Sequence, residues 1–343
     1  MPFRRSLLVG VVFGAFALVF GTGAGLASAA PGGIPGAPDH GDGGRPPDSS
    51  VAHVMGSAND KGYGHGNGGR PRSNNLLASR GGPVETAPAV YIVFWGSQWG
   101  TNGSNDPAGE APYLQSFLGS LSVAGGDHWS TSTTQYCQGV AAGTTNCSTA
   151  PGAVFITHPA VSPLLGVWYD SALAAPGHPS QSQLAAEAQR AATYFSGVPG
   201  WNPKAQFVVA TSHGNSSSGF GVQFCAWHSS TSSAFGAIGY TNLPYQPDAG
   251  AACGANFVNA GSAGALDGVS IVGGHEYAET ITDPFPNSGW LDTGGAENGD
   301  KCAWISSGQG AATNIPLSTG TFAVQSLWSN QFNTNQGGCV TAY

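Results

Sequence analysis

The chain has 343 residues, only 8% of them charged, with 54 Gly and a formal net charge of −8. So few Lys and Arg argue against a nucleic-acid partner, whose phosphates demand clustered positive charge. A hydrophobic fraction of 41% argues against a chain disordered throughout, and the length suits one large domain or two small ones.

Residues 1–29 have the pattern of a secretory signal. Arg4 and Arg5 precede an apolar stretch over 7–20, and Ala27-Ser28-Ala29 is a small-residue cleavage site. The apolar stretch is short for a membrane span, so cleavage after Ala29 and export are expected, with no span in the mature protein. Residues 30–75 are rich in Gly, Pro and His and poor in aliphatic side chains. Such a segment buries too little apolar surface to offset its ordering entropy. It reads as a flexible linker or propeptide, and its His40, His53 and His65 as solvated.

The globular part is expected over 76–343. Val90-Tyr91-Ile92-Val93-Phe94-Trp95 is a continuous apolar run, the mark of a buried strand. Residues 111–121 place Leu114, Phe117, Leu118 and Leu121 at helical spacing. A second strand is predicted over 153–157. An Ala-rich amphipathic helix follows over 180–195, with Ser180 or Ser182 as N-cap. Residues 206–211 predict a third strand, 221–227 and 234–240 a strand pair, and 322–328 a last strand. Residues 269–282 predict a helix stopped by Pro284, since proline disfavours helical geometry at the residue before it. Interleaved helices and strands predict an α+β fold, a single layered domain with a mixed β-sheet flanked by helices. The six cysteines are even in number, and in an exported chain they read as three disulfides. Of the fifteen pairings that six cysteines allow, the sequential set is expected: Cys137–Cys147, Cys225–Cys253 and Cys302–Cys339. Each closes a local, Gly-rich loop.

The chemistry concentrates in Gly274-His275-Glu276-Tyr277-Ala278-Glu279. His275 and Glu279 are four apart, so they share a helix face and supply two ligands to one zinc ion. Glu276 projects about 100° round the helix, placed to take a proton from a metal-bound water. This is the logic of the His-Glu-x-x-His hydrolases, with Glu in place of the second His. The helix before it is apolar and small, so the polar groups are buried and need a partner. A zincin-like active-site helix is therefore expected. His228, in Phe224-Cys225-Ala226-Trp227-His228, is the first choice for a third ligand, and His213 the second. Asp283, Glu297 and Asp300 are further candidates for ligands or their supports, and with Asp292 they leave calcium open as an alternative cation. The bland alternative is an acidic helix face neutralised by Lys301. Serine chemistry is weaker, because both Gly/Ser segments near 214–219 and 268–273 miss the nucleophile-elbow spacing.

Four landmarks resemble the EXORDIUM, or phosphate-induced-protein, family of plants and its secreted bacterial relatives. They are Gly81-Gly82-Pro83-Val84 leading into the Val90 strand and Gly96-Ser97-Gln98-Trp99; Phe224-Cys225-Ala226-Trp227-His228; Leu266-Asp267-Gly268 through Asp283-Pro284; and residues 322–328 with Cys339. The resemblance implies an extracellular or cell-wall-associated protein whose family activity is not settled. Two functions follow as expectations: a secreted zinc-dependent hydrolase, peptidase-like, acting on an extracellular peptide or cell-wall substrate, or a non-catalytic member whose His/Glu cluster is structural.

Overall fold

Six strands form one mixed sheet: β1 (Ala52–Gly56), β2 (Val90–Trp95), β3 (Leu164–Asp170), β4 (Gln206–Thr211), β5 (Phe224–Ser233) and β6 (Gly236–Leu243), in the spatial order β1-β5-β6-β4-β2-β3. The computed structural model describes residues 52–59 and 75–343, all within one compact unit over Asp42–Tyr343. Residues 1–29, expected as a secretory signal, and the rest of 30–75 lie outside the described residues. β2 pairs in parallel with β3 and β4, and β4 in parallel with β6. β5 runs antiparallel to β6, and β1 antiparallel to β5.

The sheet separates two apolar cores because strand side chains alternate between its faces. From β2, Val90, Ile92 and Phe94 enter one core, while Tyr91, Val93 and Trp95 enter the other. A strand packed on both faces reads as an unbroken apolar run, which is why this element is plain in the sequence. Each large side chain buried here contributes roughly 1.5–3 kcal/mol. One face is covered by α2 (Gln181–Phe195), whose Leu184, Ala188, Ala191 and Phe195 point inward. Ser180 caps it with Gln183 in a reciprocal capping box. The other face is covered by α1 (Glu110–Gly119) and α3 (Asp267–Thr282). Every residue of α3 is buried, as expected of a helix enclosed on all sides. Gly274 lets it sit so deep: a Cβ there would stand 3.0 Å from Trp129 and 3.1 Å from Phe117. After α3, a hairpin of β7 (Thr313–Leu317) and β8 (Gly320–Val324) and a pair of β9 (Leu327–Ser329) and β10 (Gly338–Val340) close the chain.

The α+β architecture agrees with the sequence reading, as do the helices, with shifts of one or two residues at their ends. The three disulfides are Cys137–Cys147, Cys225–Cys253 and Cys302–Cys339. They fit an oxidising, extracytoplasmic setting. Among the described residues no helix is long and apolar enough to cross a membrane.

Several strands differ from expectation. Residues 52–56, read as linker, form β1, because an edge strand needs only one partner and five residues suffice. The strand over 153–157 shrinks to Val154–Phe155, exposed on both faces. The one over 322–328 splits into β8 and β9, each with its own antiparallel partner. β3 was not expected, since Pro163 and Gly166 interrupt its apolar pattern. The pair expected over 221–227 and 234–240 moves forward, and the Ser/Thr run 229–233 continues β5 instead of forming its turn. His228 therefore lies inside a strand, not after one.

Candidate metal centre

α3 is the scaffold of a buried polar cluster. His275 and Glu279 lie one turn apart on one face, with His275 Nε2 3.0 Å from Glu279 Oε1. Glu276 turns toward β5, where its Oε2 lies 3.3 Å from His228 Nδ1. His228 reaches in from β5, its Nδ1 3.7 Å from Glu279 Oε2 and its Nε2 3.7 Å from Glu297 Oε2. The loop carrying Glu297 and Asp300 closes the other side, with Asp300 Oδ1 3.8 Å from His275 Nε2. The Asp300 N–H also donates to Glu279 Oε1 at 2.8 Å. Gly299 permits this approach: a Cβ there would stand 2.8 Å from His275 Nδ1 and 2.9 Å from Glu279 Oε1.

His53, taken in the sequence as solvated, is brought into the same cluster by β1. It is paired in register with His228, its ring stacks on that of His228 at 5.6 Å, and its Nδ1 lies 2.7 Å from Glu297 Oε2. The signal was faint but readable: in Ala52-His53-Val54-Met55 the alternation puts His53 with Met55 on the α3 side, against Ala52 and Val54. Gln325 is the other residue that the sequence did not indicate. Its Nε2 donates to the carbonyls of Gly299 and Ser326, which turns its Oε1 toward His275 Nδ1 at 3.2 Å. Nδ1–H of His275 is then the donor, and Nε2 faces Glu279 and Asp300, where it offers a lone pair once a cation displaces its proton. This is how a metal-ligating histidine is commonly oriented.

Three sets of donors result: His53 with Glu297 and Asp300, His228 with Glu279 and Glu297, and His275 with Glu279 and Asp300. Within each set the ligand atoms lie within 4.8 Å of one another. His228 Nε2, Glu276 Oε1, Glu279 Oε2 and Glu297 Oε1 are buried without a hydrogen-bond partner, while His275 Nε2 and Glu297 Oε2 meet ion-pair partners, Glu279 Oε1 at 3.0 Å and His53 Nδ1 at 2.7 Å. Leaving a buried polar atom unpaired costs on the order of 1–3 kcal/mol, more for a charged group. These residues fit cation binding, which would satisfy the donors within each set.

The electrostatics follow from burial. Burial pushes His228 down to about 3, against the pull of Glu279, so its ring is neutral and free to ligate. His275 also loses hydration, but the Glu279 carboxylate outweighs this and raises it to about 10. Burial opposes ionisation of Glu279, yet the His275 charge holds it down to about 2. Burial drives Glu276 and Glu297 well above the usual carboxylate range and Asp300 up to about 6.

The remaining sequence candidates fall outside this cluster. His213 is exposed and bonded to Asp248 at 2.5 Å, so it is a surface ion pair. Asp283 is buried, but its carboxylate accepts from the N–H groups of Asn287, Ser288 and Gly289 at 2.7, 3.0 and 2.6 Å. It pins the turn after α3 and belongs to none of the donor sets. Lys301 pairs with Asp292 at 2.9 Å and lies 4.2 Å above the Trp328 ring. The ion-pair partners of Glu276, Glu279, Glu297 and Asp300 are histidines.

The fold and site thus define an α+β protein with a buried cluster of histidines and carboxylates whose donor atoms converge as metal ligands do. No family model, curated protein or solved structure matches the chain, so the EXORDIUM resemblance rests on its four sequence landmarks alone.

Proposed function

We propose that the protein is a secreted metal-dependent hydrolase, peptidase-like, with His275, Glu279 and His228 as ligands and Glu276 as general base. The observation that carries this reading is the convergence of buried donors from α3, β5 and the 297–300 loop in one polar cluster, with Glu279 common to the donor set of His275 and that of His228. Histidine nitrogens among the donors favour zinc over calcium, which prefers oxygen throughout. A zinc ion held there would polarise a substrate carbonyl and lower the pKa of water toward neutrality. Glu276 touches His228 and keeps Oε1 unpartnered, so it has a free oxygen to accept a proton from the attacking water and pass it to the leaving group. His228, neutral in its buried place, holds the other Glu276 oxygen in position. The signal-type N-terminus, the three disulfides and the EXORDIUM-like landmarks support an extracellular site of action on a peptide or cell-wall substrate.

Glu276→Gln tests the reading. It should abolish hydrolysis of a peptide library, scored by mass spectrometry, and leave metal content and melting temperature near wild type. Burial of His228, His275, Glu279 and Glu297 favours a second reading, a non-catalytic EXORDIUM-like protein stabilised by its metal. Bound metal in a wild-type protein with no hydrolysis of peptides or cell-wall polymers would decide for it.

A further inference from the structure

We propose that the centre holds two divalent cations bridged by Glu279, one on His275, Asp300 and Glu279 Oε1, the other on His228, Glu297 and Glu279 Oε2, with His53 beside it. This rests on reading the cluster as a metal centre and adds its stoichiometry and nuclearity. The geometry that points to it is the division of Glu279: Oε1 faces His275 at 3.0 Å, while Oε2 faces His228 at 3.7 Å. A carboxylate serving one ion would turn both oxygens, or one, toward a single point. Each oxygen here faces a different histidine, which is the posture of a bridge.

Donor count agrees. A four-coordinate zinc site needs four ligands, and six side chains from four sequence regions converge here. They divide into overlapping sets of three, each set sharing one carboxylate with each of the others. Charge agrees as well. Glu276, Glu279, Glu297 and Asp300 would bring four negative charges when ionised, and two divalent cations bring four positive ones. A single ion would leave two carboxylates either buried with their charge or neutralised by proton uptake. Paired metals about 3.5–4 Å apart are a common hydrolytic arrangement, clamping the attacking and leaving oxygens of a displacement. His53 gives the second ion a nitrogen from the N-terminal strand, its Nδ1 at 2.7 Å from Glu297 Oε2.

The experiment titrates Zn2+ into chelator-stripped, full-length exported protein, with metal counted after dialysis by elemental analysis. Two Zn2+ per chain are expected. In Co2+-loaded protein, magnetic coupling should reduce the electron-paramagnetic-resonance intensity below that of two isolated ions. Asp300→Asn, at the more exposed rim of the site, should weaken one binding step by at least tenfold and leave the other. The remaining ion should then give an uncoupled signal. His53→Gln should weaken the other step and spare the first. One Zn2+ per chain in the wild type would overturn the two-ion proposal and leave the metal centre standing. Two Co2+ without coupling would overturn the bridge. No stoichiometric metal at all would remove the metal centre itself, and the hydrolase reading with it.

Discussion

The two faces of the central sheet bury carboxylates by different means. On the α2 face, Asp170 and Glu187 meet Arg190, a fixed cation from the same chain. On the α3 face, Glu276, Glu279, Glu297 and Asp300 meet histidines instead. An arginine stays charged at any pH that the protein meets, so the α2 face carries its counter-charge within the chain. A histidine can give up its proton and offer a lone pair, so the α3 face is built for a partner that brings its own charge. The contrast teaches that buried acidity alone does not mark a site; the kind of group set against it does.

The sharpest way to break the comparison is His275→Ala. It removes a nitrogen donor and the charge that holds Glu279 ionised. The metal held by His275 should be lost, and the melting temperature should fall by several degrees, since metal binding free energy adds to folding. Elemental analysis and calorimetry check both. Arg190→Gln on the α2 face should leave metal content unchanged.

A second effect concerns pH. In the chelated protein, His275 has a folded pKa raised to about 10 from an ordinary 6.5. Its contribution is fully present below 6.5 and is lost as pH rises toward 10. Buried Glu276 and Glu297, raised well above 4.5, bind more protons folded than unfolded, so they too lower stability as pH rises. Depressed Glu279 and His228 have ceased to contribute any slope above about 6.5. Chelated protein should therefore melt lower at pH 8 than at pH 6.5. Metal-loaded protein should show the opposite slope, because its ligands must be deprotonated to bind. Equal slopes in the two forms would mean that the cluster does not hold the metal.

A third, smaller effect sits behind the ligands. Gln325→Ala removes the acceptor that orients His275 and leaves its Nδ1–H unpaired. Loss of such a support weakens metal affinity by roughly 10–100-fold, which a competitive chelator titration would measure. Unchanged affinity would mean that packing alone orients the ring.

What was legible in the sequence followed from local rules. α3, its buried character and the shared face of His275 and Glu279 come from spacing within sixteen residues. The Val90 strand came from its apolar run. His228 was singled out by its Cys225 neighbour, and the Cys225–Cys253 bond does lie three residues away on β5. His53 was only faintly legible and Gln325 not at all, because their roles come from long-range pairing: His53 with His228 across 175 residues, and Gln325 with His275 across 50. Asp283 joins none of the donor sets for the converse reason. Its carboxylate serves three N–H groups within six residues, a local turn device that looks, in one dimension, like part of an acidic cluster.

The smallest expected effect on the metal is therefore that of Asp283→Asn, four residues beyond Glu279 on the same helix end. Asp283 Oδ2 accepts from Asn287 N–H at 2.7 Å, while Oδ1 accepts from Ser288 and Gly289 N–H at 3.0 and 2.6 Å. An amide presents only one oxygen, so either the Asn287 donor or the Ser288–Gly289 pair must face an NH2 group. A buried donor left unpaired costs on the order of 1–3 kcal/mol, and a denaturant melt should show a loss of that size. Metal stoichiometry and affinity should stay at wild-type values, because the side chain is spent on the turn. If instead Asp283→Asn folds normally and binds metal more weakly, Asp283 contributes to the centre, and the line drawn between turn-pinning and cation-holding carboxylates on α3 falls one residue too early.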